Sequence, residues 1–127
     1  MSEYAQSLWS RAEQALRTAK HDVSLSYNAA ASRAYYGAFY AVSALFELEG
    51  QQFSKHTAVR AAVHRDLVNT DRWDESLGED YSMLVALREI ADYGGMRSTS
   101  REEARAAIRA AERIIDAVRR EHPQFEH

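Results

Sequence analysis

The stretch of this sequence that offers the most chemistry is Arg88 to Tyr93, near the end of a predicted helix. Arg88 and Asp92 are four residues apart, so in an α-helix both side chains lie on one face. Tyr81 and Val85 fall on the same strip, which places the charged pair beside apolar residues. The spacing fits an ordinary intrahelical ion pair, which contributes a few tenths of a kcal/mol when exposed. It also fits a pair that binds a ligand or takes part in catalysis.

A second set of titratable side chains, His56, Arg60 and His64, is spaced at intervals of four residues. The two histidines are two helical turns apart with an arginine between them, and no carboxylate is suitably spaced beside them. This pattern does not suit a metal site. It predicts either a solvated basic strip or a strip that contacts phosphate, to which Lys55 and Arg65 would add.

The helix predicted over 26–48 carries, beside its apolar stripe, a second face of small, aromatic and cationic side chains. Small residues allow another helix to approach closely, and the tyrosines offer a large contact area. This face either packs within the molecule or forms a dimer surface with Arg33 at its edge. Its members are Arg33, Tyr36, Gly37, Tyr40, Ala41 and Ala44.

Several kinds of site are absent from the sequence. There is no cysteine, which excludes disulfides, thiolate metal sites and cysteine nucleophiles. There is also no Ser-His-Asp order, phosphate-cradling glycine loop, zinc-ligand spacing or Walker motif. We therefore expect no metal and no cofactor, and the residues alone favour a binding or interaction domain. A formal net charge of -3 gives no general reason to expect nucleic-acid binding, although it allows a local basic patch.

The elements that position these residues are predicted to be helices, because long proline-free stretches are rich in Ala, Leu, Glu and Arg. A fifth helix begins at a capping box, formed by Thr99 with Glu102 or by Ser100 with Glu103. The first four are predicted over 3–20, 26–48, 54–69 and 75–93. Five helices joined by short loops predict an all-α antiparallel bundle.

The 127 residues suffice for one sizeable core, so we predict a single domain over 1–127 with a frayed tail over 121–127. The N-terminus lacks the cationic start and apolar stretch of a signal peptide. No apolar run approaches the ~20 residues needed to cross a bilayer. We expect a cytoplasmic protein without a membrane partner.

Three segments together resemble a known family. They are SRAYYGAFY at 32–40, SKHTAVR at 54–60 and REIADY at 88–93, in this order and at the spacings of a helix bundle. The set resembles the HEPN superfamily, and in particular its small prokaryotic branch. The resemblance spans about residues 5–120.

This resemblance implies a bundle of four or five helices that commonly forms a homodimer. Many HEPN proteins are metal-independent ribonucleases that act as toxins or defence effectors, and others are partners of minimal nucleotidyltransferases. The nuclease motif of the family is an arginine followed, after four to six residues, by a histidine. The histidine handles the proton of the ribose 2′-hydroxyl or of the leaving oxygen, and the arginine stabilises charge on the phosphate.

The sequence departs from that motif at the histidine. Arg88 matches the arginine, but Tyr93 stands where the histidine is due, and Asp92 precedes it. A phenol is a poor base at neutral pH, and a carboxylate paired with arginine is a weak base that also repels phosphate. The pair Arg60 and His64 has only three intervening residues and lies in the wrong helix. His56 is the proton-transfer group that a neighbouring helix would supply.

We therefore expect a non-catalytic or weakly catalytic component of a toxin–antitoxin or defence module, working with a nucleotidyltransferase-like partner. Under this interpretation we expect the protein to form a homodimer and to bind a nucleotide or RNA. The alternatives are a metal-independent endoribonuclease with a divergent active site and a purely structural or interaction bundle. The candidate catalytic residues are Arg88, Asp92 and His56, and the candidate ligand or interface residues are Arg33, Tyr36, Tyr40, Arg60, His64 and Tyr93.

Overall fold

The computed structural model describes residues 2–125, and in this part of the chain all regular structure is helical. None of the described helices is long and apolar enough to cross a membrane. The predicted all-α bundle is confirmed. Its helices are α1 (Glu3–Asp22), α2 (Tyr27–Leu48), α3 (His56–Ala62), α4 (Glu75–Tyr93) and α5 (Arg101–Glu121), with a π-helix at Val63–Val68 and a 3₁₀ turn at Pro123–Phe125.

The central helix is α2, which packs against α1, α4 and α5. A Cβ atom added at Gly37 would lie 3.5 Å from the carbonyl oxygen of Ala12 and 3.6 Å from the amide nitrogen of Leu16, so α1 passes close to α2 at this point. Ala41 and Ala44 of the same face are fully buried. The small residues of this face therefore pack within the bundle, while its arginine and tyrosines lie nearer to solvent.

Side-chain caps fix where several helices begin. Of the two capping boxes that the sequence offered, the structure uses the second. The Ser100 hydroxyl accepts from the amide of Glu103 at 3.1 Å, and the Glu103 carboxylate accepts from the amide of Ser100 at 3.0 Å. Such reciprocal bonds satisfy two donors that a helix start would otherwise leave unpaired. Helix α4 has the bounds that the sequence predicted.

The third helix differs from its prediction as one α-helix over 54–69. Helix α3 begins at His56, and the backbone changes to a π-helix from Val63 to Val68. A π-helix bonds residue i to i+5, so a four-residue spacing that crosses into it no longer keeps side chains on one face. His56 contacts Tyr35 of α2, and His64 contacts Ser82 of α4.

The predicted frayed tail is wrong for residues 123–125. These residues form a 3₁₀ turn, and the Phe125 side chain is fully buried. Its ring stacks on Trp9 of α1, with centroids 4.7 Å apart and planes 13° apart. Burial of the Phe125 ring against Trp9 holds this turn against the bundle. Of the other predicted tail residues, Glu121 is the last residue of α5 and His122 caps it, while residues 126–127 lie outside the described part of the chain.

An ionic network joins the ends of two helices to the loop before α4. The Arg72 guanidinium donates to Glu49 at 3.0 and 2.8 Å and to Glu121 at 2.7 Å. Trp73 Nε1 donates to the other oxygen of Glu121 at 2.6 Å, and His122 Nε2 lies 2.8 Å from Glu49. The network therefore fixes the ends of α2 and α5 against the loop.

We expect this network to make unfolding depend on pH in the acid range. Partial burial opposes ionisation of Glu49, but hydrogen bonds from Arg72 and His122 outweigh it and lower the pKa of this carboxyl below its ordinary 4.5. A lowered pKa contributes stability that is present above pH 4.5 and is lost as the pH falls through the folded-state value.

In Glu49→Gln the free energy of unfolding should fall less steeply below that pH than in the unsubstituted protein. Urea unfolding at a series of pH values measures this, with Glu79→Gln on the exposed side of α4 as the control. Equal slopes for Glu49→Gln and the unsubstituted protein would contradict the expectation.

Candidate functional site

Arg88 lies in the last turns of α4 and reaches α2. Its Nε donates to Asp92 Oδ2 at 3.0 Å, and its Nη2 donates to the Tyr36 hydroxyl at 3.1 Å. The guanidinium carbon is 5.4 Å from the ring centroid of Tyr35, 5.5 Å from that of Tyr36 and 5.8 Å from that of Tyr93. The Arg88 side chain is only 20% exposed. The ion pair predicted from spacing is therefore present, but in a partly desolvated, aromatic setting.

His56, at the start of α3, contacts the same two tyrosines of α2, Tyr35 and Tyr36. The Tyr35 hydroxyl lies 2.7 Å from His56 Nδ1, and the imidazole stacks on Phe39 with centroids 4.1 Å apart and planes 1° apart. Desolvation, and then the positive charge of Arg88, lower the pKa of His56 below its ordinary 6.5. The imidazole is therefore neutral at neutral pH.

We call Arg88, Asp92, Tyr36, Tyr35 and His56 the Arg88 cluster. It brings together all three candidate catalytic residues, from α4 and α3, around two tyrosines of α2. Arg88 uses two of the five N–H donors that a guanidinium carries, which leaves three for a ligand. Within residues 2–125, His56 Nε2 has no hydrogen-bond partner. The cluster thus combines a fixed cation with an accessible, neutral imidazole nitrogen.

Three of the candidate ligand or interface residues extend the cluster. Tyr93 is 74% exposed and stands at its rim. The exposed Arg33 guanidinium lies 5.8 Å from the Tyr36 ring centroid, and the half-buried Tyr40 ring is 6.0 Å from that of Tyr36. Arg33 and Tyr40 continue the cluster along α2, and Tyr93 extends it at the end of α4.

His64 does not join the cluster, whereas the charge of Arg60 acts on Tyr35 of the cluster. His64 Nε2 lies 3.2 Å from the Ser82 hydroxyl of α4, and Arg60 is exposed on α3. Arg65, which the sequence predicted as part of a basic strip, forms an ion pair with Asp66 at 2.8 Å. His56, Arg60 and His64 therefore do not form one basic strip, because His64 contacts Ser82 of α4 whereas His56 contacts Tyr35 of α2.

Sequence reasoning missed a groove of about 540 Å³ between α1, α2 and the segment that leads into α3. Arg11 and Tyr40 line it together with His56, so the groove reaches the Arg88 cluster. The Arg11 guanidinium lies 5.9 Å from the Tyr40 ring centroid. Polar residues at 7, 11, 14 and 18 mark a polar face of α1 in the sequence. They do not reveal which side of the bundle that face occupies.

Replacing Arg88 with methionine should raise the pKa of His56 towards 6.5, because it removes a nearby positive charge that disfavours the protonated imidazole. Titration of the histidine ring signals by NMR measures this. Arg109→Met removes an equal charge from an exposed position of α5, away from α3, and should leave the pKa of His56 nearly unchanged. If the two variants moved this pKa alike, or Arg88→Met left it where it was, the proposed proximity of the two charges would be contradicted.

The fold and the cluster define a helical bundle built around an arginine and two tyrosines, and comparisons with known proteins agree with the resemblance noted in the sequence. The family model described as the HEPN domain matches residues 5–121. The chain therefore belongs to the HEPN domain family.

Within that family it is a homologue of the UPF0332 group. It is 38% identical over 91 residues to a UPF0332 protein of Thermotoga maritima, covering 72% of this chain and 69% of that protein. The crystal structure of TT1696 from Thermus thermophilus superposes with a TM-score of 0.78 at 22% identity, covering 94% of this chain and 98% of that one. At this identity the likeness concerns the fold.

Proposed function

We propose that this HEPN-domain protein is a binding component, non-catalytic or weakly catalytic, whose Arg88 cluster receives a phosphate group of a nucleotide or RNA. The observation that carries the proposal is the partly desolvated guanidinium, held in place by Asp92 and Tyr36 with three N–H donors unused. A guanidinium fork matches the geometry of phosphate oxygens, and partial exclusion of water strengthens the contact. The surrounding tyrosine faces limit the positions that the arginine can adopt.

Asp92 sets the strength of this site. Its carboxylate accepts the hydrogen bond from Arg88 Nε and repels an incoming phosphate, so a ligand must compete with it for the guanidinium. This arrangement suits reversible binding. It does not suit base catalysis by Asp92, because the Oδ2 atom of this carboxylate already accepts a hydrogen bond from Arg88. Tyr93, which stands where the family motif has histidine, is an exposed phenol at the rim of the cluster.

The biological setting we propose is a cytoplasmic toxin–antitoxin or defence module in which the protein, as a homodimer, works with a nucleotidyltransferase-like partner. Membership of the HEPN family supports this setting. Co-expression with the product of the adjacent gene tests it. We expect that gene to encode a small nucleotidyltransferase and the two proteins to elute as one complex of defined mass. An unrelated neighbour and a stable, isolated monomer would argue against the setting.

The binding proposal is tested with labelled RNA and with ATP, titrated into the protein and followed by fluorescence anisotropy and calorimetry. Arg88→Lys keeps the charge but loses the fork, so we expect binding about fivefold weaker. Arg109→Lys makes the same change at an exposed position of α5 that is outside the cluster, and it should bind as the unsubstituted protein does. Equal affinity in all three proteins, or no binding by any of them, would overturn the proposal.

A metal-independent endoribonuclease is the second candidate, and one observation favours it. His56 and Arg88 lie far apart in the sequence yet meet at Tyr35. A neutral imidazole could accept the 2′-hydroxyl proton of RNA while the guanidinium stabilises charge on the phosphate. This candidate predicts that purified protein cleaves RNA in the presence of a chelator, that Arg88→Ala and His56→Gln abolish cleavage, and that His64→Gln retains it. Absence of cleavage by the unsubstituted protein would overturn it.

A further inference from the structure

We propose that the groove beside the Arg88 cluster is a path for single-stranded nucleic acid, in which Tyr40 stacks on a base and Arg11 contacts the backbone. This inference rests on the proposed phosphate site and names its ligand as an extended strand. We call the surface formed by Arg11, Arg33, Tyr36 and Tyr40 the Tyr40 path. Its residues come from α1 and α2.

The Tyr40 path alternates cations with aromatic rings. Tyr36 and Tyr40 are four residues apart on α2, so they face the same way and lie about 6 Å apart along the helix axis. At Tyr36 the ring lies beside both Arg33 and Arg88, at 5.8 and 5.5 Å. At Tyr40 it lies beside Arg11, at 5.9 Å. Each ring therefore has a guanidinium beside it.

The two outer arginines of the path are available to a ligand. Arg11 and Arg33 are exposed, and no carboxylate within residues 2–125 forms an ion pair with either of them. The bundle neutralises many other cations with carboxylates, namely Lys20, Arg65, Arg72, Arg88, Arg97, Arg113 and Arg119. Unpaired guanidinium groups beside aromatic faces fit a polyanion that also presents flat, apolar bases.

The ends of the path offer groups that hydrogen-bond the edges of bases. The 540 Å³ groove contains Glu47, Gln51 and Gln52 beyond Tyr40. A second hollow of about 490 Å³ shares Arg11 and Tyr40 with the groove and continues to Arg33 and Asp22. Amide and carboxylate side chains recognise the Watson–Crick edges of unpaired bases. Glu47 and Asp22, at the two ends, repel phosphate. We therefore expect the backbone phosphates to lie near Arg11, between these two acids.

The length of the surface favours a strand over a mononucleotide. From Arg33 to Glu47 the helix α2 rises about 21 Å, along which two tyrosine rings lie in succession. Stacking on these rings requires bases that are not already stacked and paired in a duplex. Base–aromatic stacking contributes about 1–3 kcal/mol per base. A single strand therefore gains contacts here that a duplex does not.

The test measures the affinity of the full chain for a labelled RNA without self-complementary sequence, for DNA of the same sequence and for the corresponding RNA duplex. We expect both single strands to bind more tightly than the duplex. Arg11→Glu should weaken single-strand binding at least tenfold and reduce its salt dependence, since it removes a phosphate contact and adds repulsion. Arg109→Glu reverses an equally exposed charge on α5, outside the groove, and should change affinity less than twofold.

The stacking role of Tyr40 needs its own pair of variants. Tyr40→Phe keeps the ring and should bind more tightly than Tyr40→Ala, which should lose about tenfold in affinity relative to the unsubstituted protein. Thermal melting by circular dichroism shows whether each variant is folded. Arg11 is exposed, so we expect Arg11→Glu to remain folded. This variant therefore tests the Tyr40 path even if Tyr40→Ala unfolds.

The failure of this inference can be told apart from failure of the proposed function. If Arg88→Lys weakens binding while Arg11→Glu and Tyr40→Ala bind normally, the phosphate site stands and the Tyr40 path is wrong. If the duplex binds as tightly as the single strands, the path is also wrong. If Arg11→Glu changes the mass measured by light scattering and leaves nucleic-acid affinity unchanged, the surface is a protein interface and the inference is overturned.

Discussion

Replacing Phe125 with alanine should lower the free energy of unfolding by about 3–5 kcal/mol, the usual cost of truncating a buried phenylalanine. The ring is fully buried and stacks on Trp9, whose own side chain is fully buried in α1. Truncation removes the stacking contact and leaves a cavity beside the indole. A loss of this size is a large fraction of the stability of an ordinary domain, although the residue lies close to the end of the chain.

Urea unfolding followed by circular dichroism measures this loss, with Met96→Ala as the control. Met96 is fully exposed in the loop before α5, so its truncation should change the free energy of unfolding by less than about 0.5 kcal/mol. If the two variants had equal stability, the tail would be frayed, as its sequence suggested. A selective loss in Phe125→Ala would establish that the tail is part of the core.

The parts of the fold that could be predicted from sequence depend on neighbours along the chain. The apolar periodicity within each helix and the reciprocal bonds of Ser100 and Glu103 act within one or two turns. The double glycine at 94–95 likewise marks the end of α4, and Gly95 adopts a positive φ of 61°. These signals fix helix positions without any knowledge of how the helices pack.

The parts that could not be predicted depend on contacts between distant residues. Phe125 finds its partner Trp9 across almost the whole chain, and Arg72 meets Glu121 across 49 residues. Composition near a chain end predicts fraying unless the partner is known. The π-helix likewise has no clear signal, because residues 63–68 are compatible with an ordinary α-helix.

In the candidate site, too, contacts between sequence neighbours could be predicted, and contacts between distant residues could not. The pairing of Arg88 with Asp92 follows from their four-residue spacing, and the resemblance to HEPN proteins directed attention to this pair. Tyr36, whose hydroxyl accepts from Arg88, lies 52 positions away in the sequence, and His56 reaches the cluster through Tyr35 and Tyr36. Periodicity places a residue on a face of its own helix, but it does not say which face of another helix lies opposite.

The second large effect is expected from the two partners of the ion pair in the Arg88 cluster, whose removal should change phosphate binding in opposite directions. Arg88→Gln removes the cation and should weaken binding about tenfold, since charge-assisted hydrogen bonds contribute about 1.5–3 kcal/mol. Asp92→Asn removes the competing carboxylate from the guanidinium and should strengthen binding about tenfold. Titration with labelled RNA should therefore separate the two variants by about a hundredfold.

This pair of variants distinguishes a binding site from a brace. If Arg88 and Asp92 only stabilise the bundle, each substitution breaks the same ion pair, so both should lower the free energy of unfolding and neither should change binding. If they form a binding site, Asp92→Asn should bind more tightly without a large loss of stability. Asp92 lies in the last turn of α4, where the helix dipole disfavours a negative charge. Removing that charge offsets part of what the lost ion pair contributed under either interpretation, so tighter binding by Asp92→Asn is the outcome that only the binding site predicts.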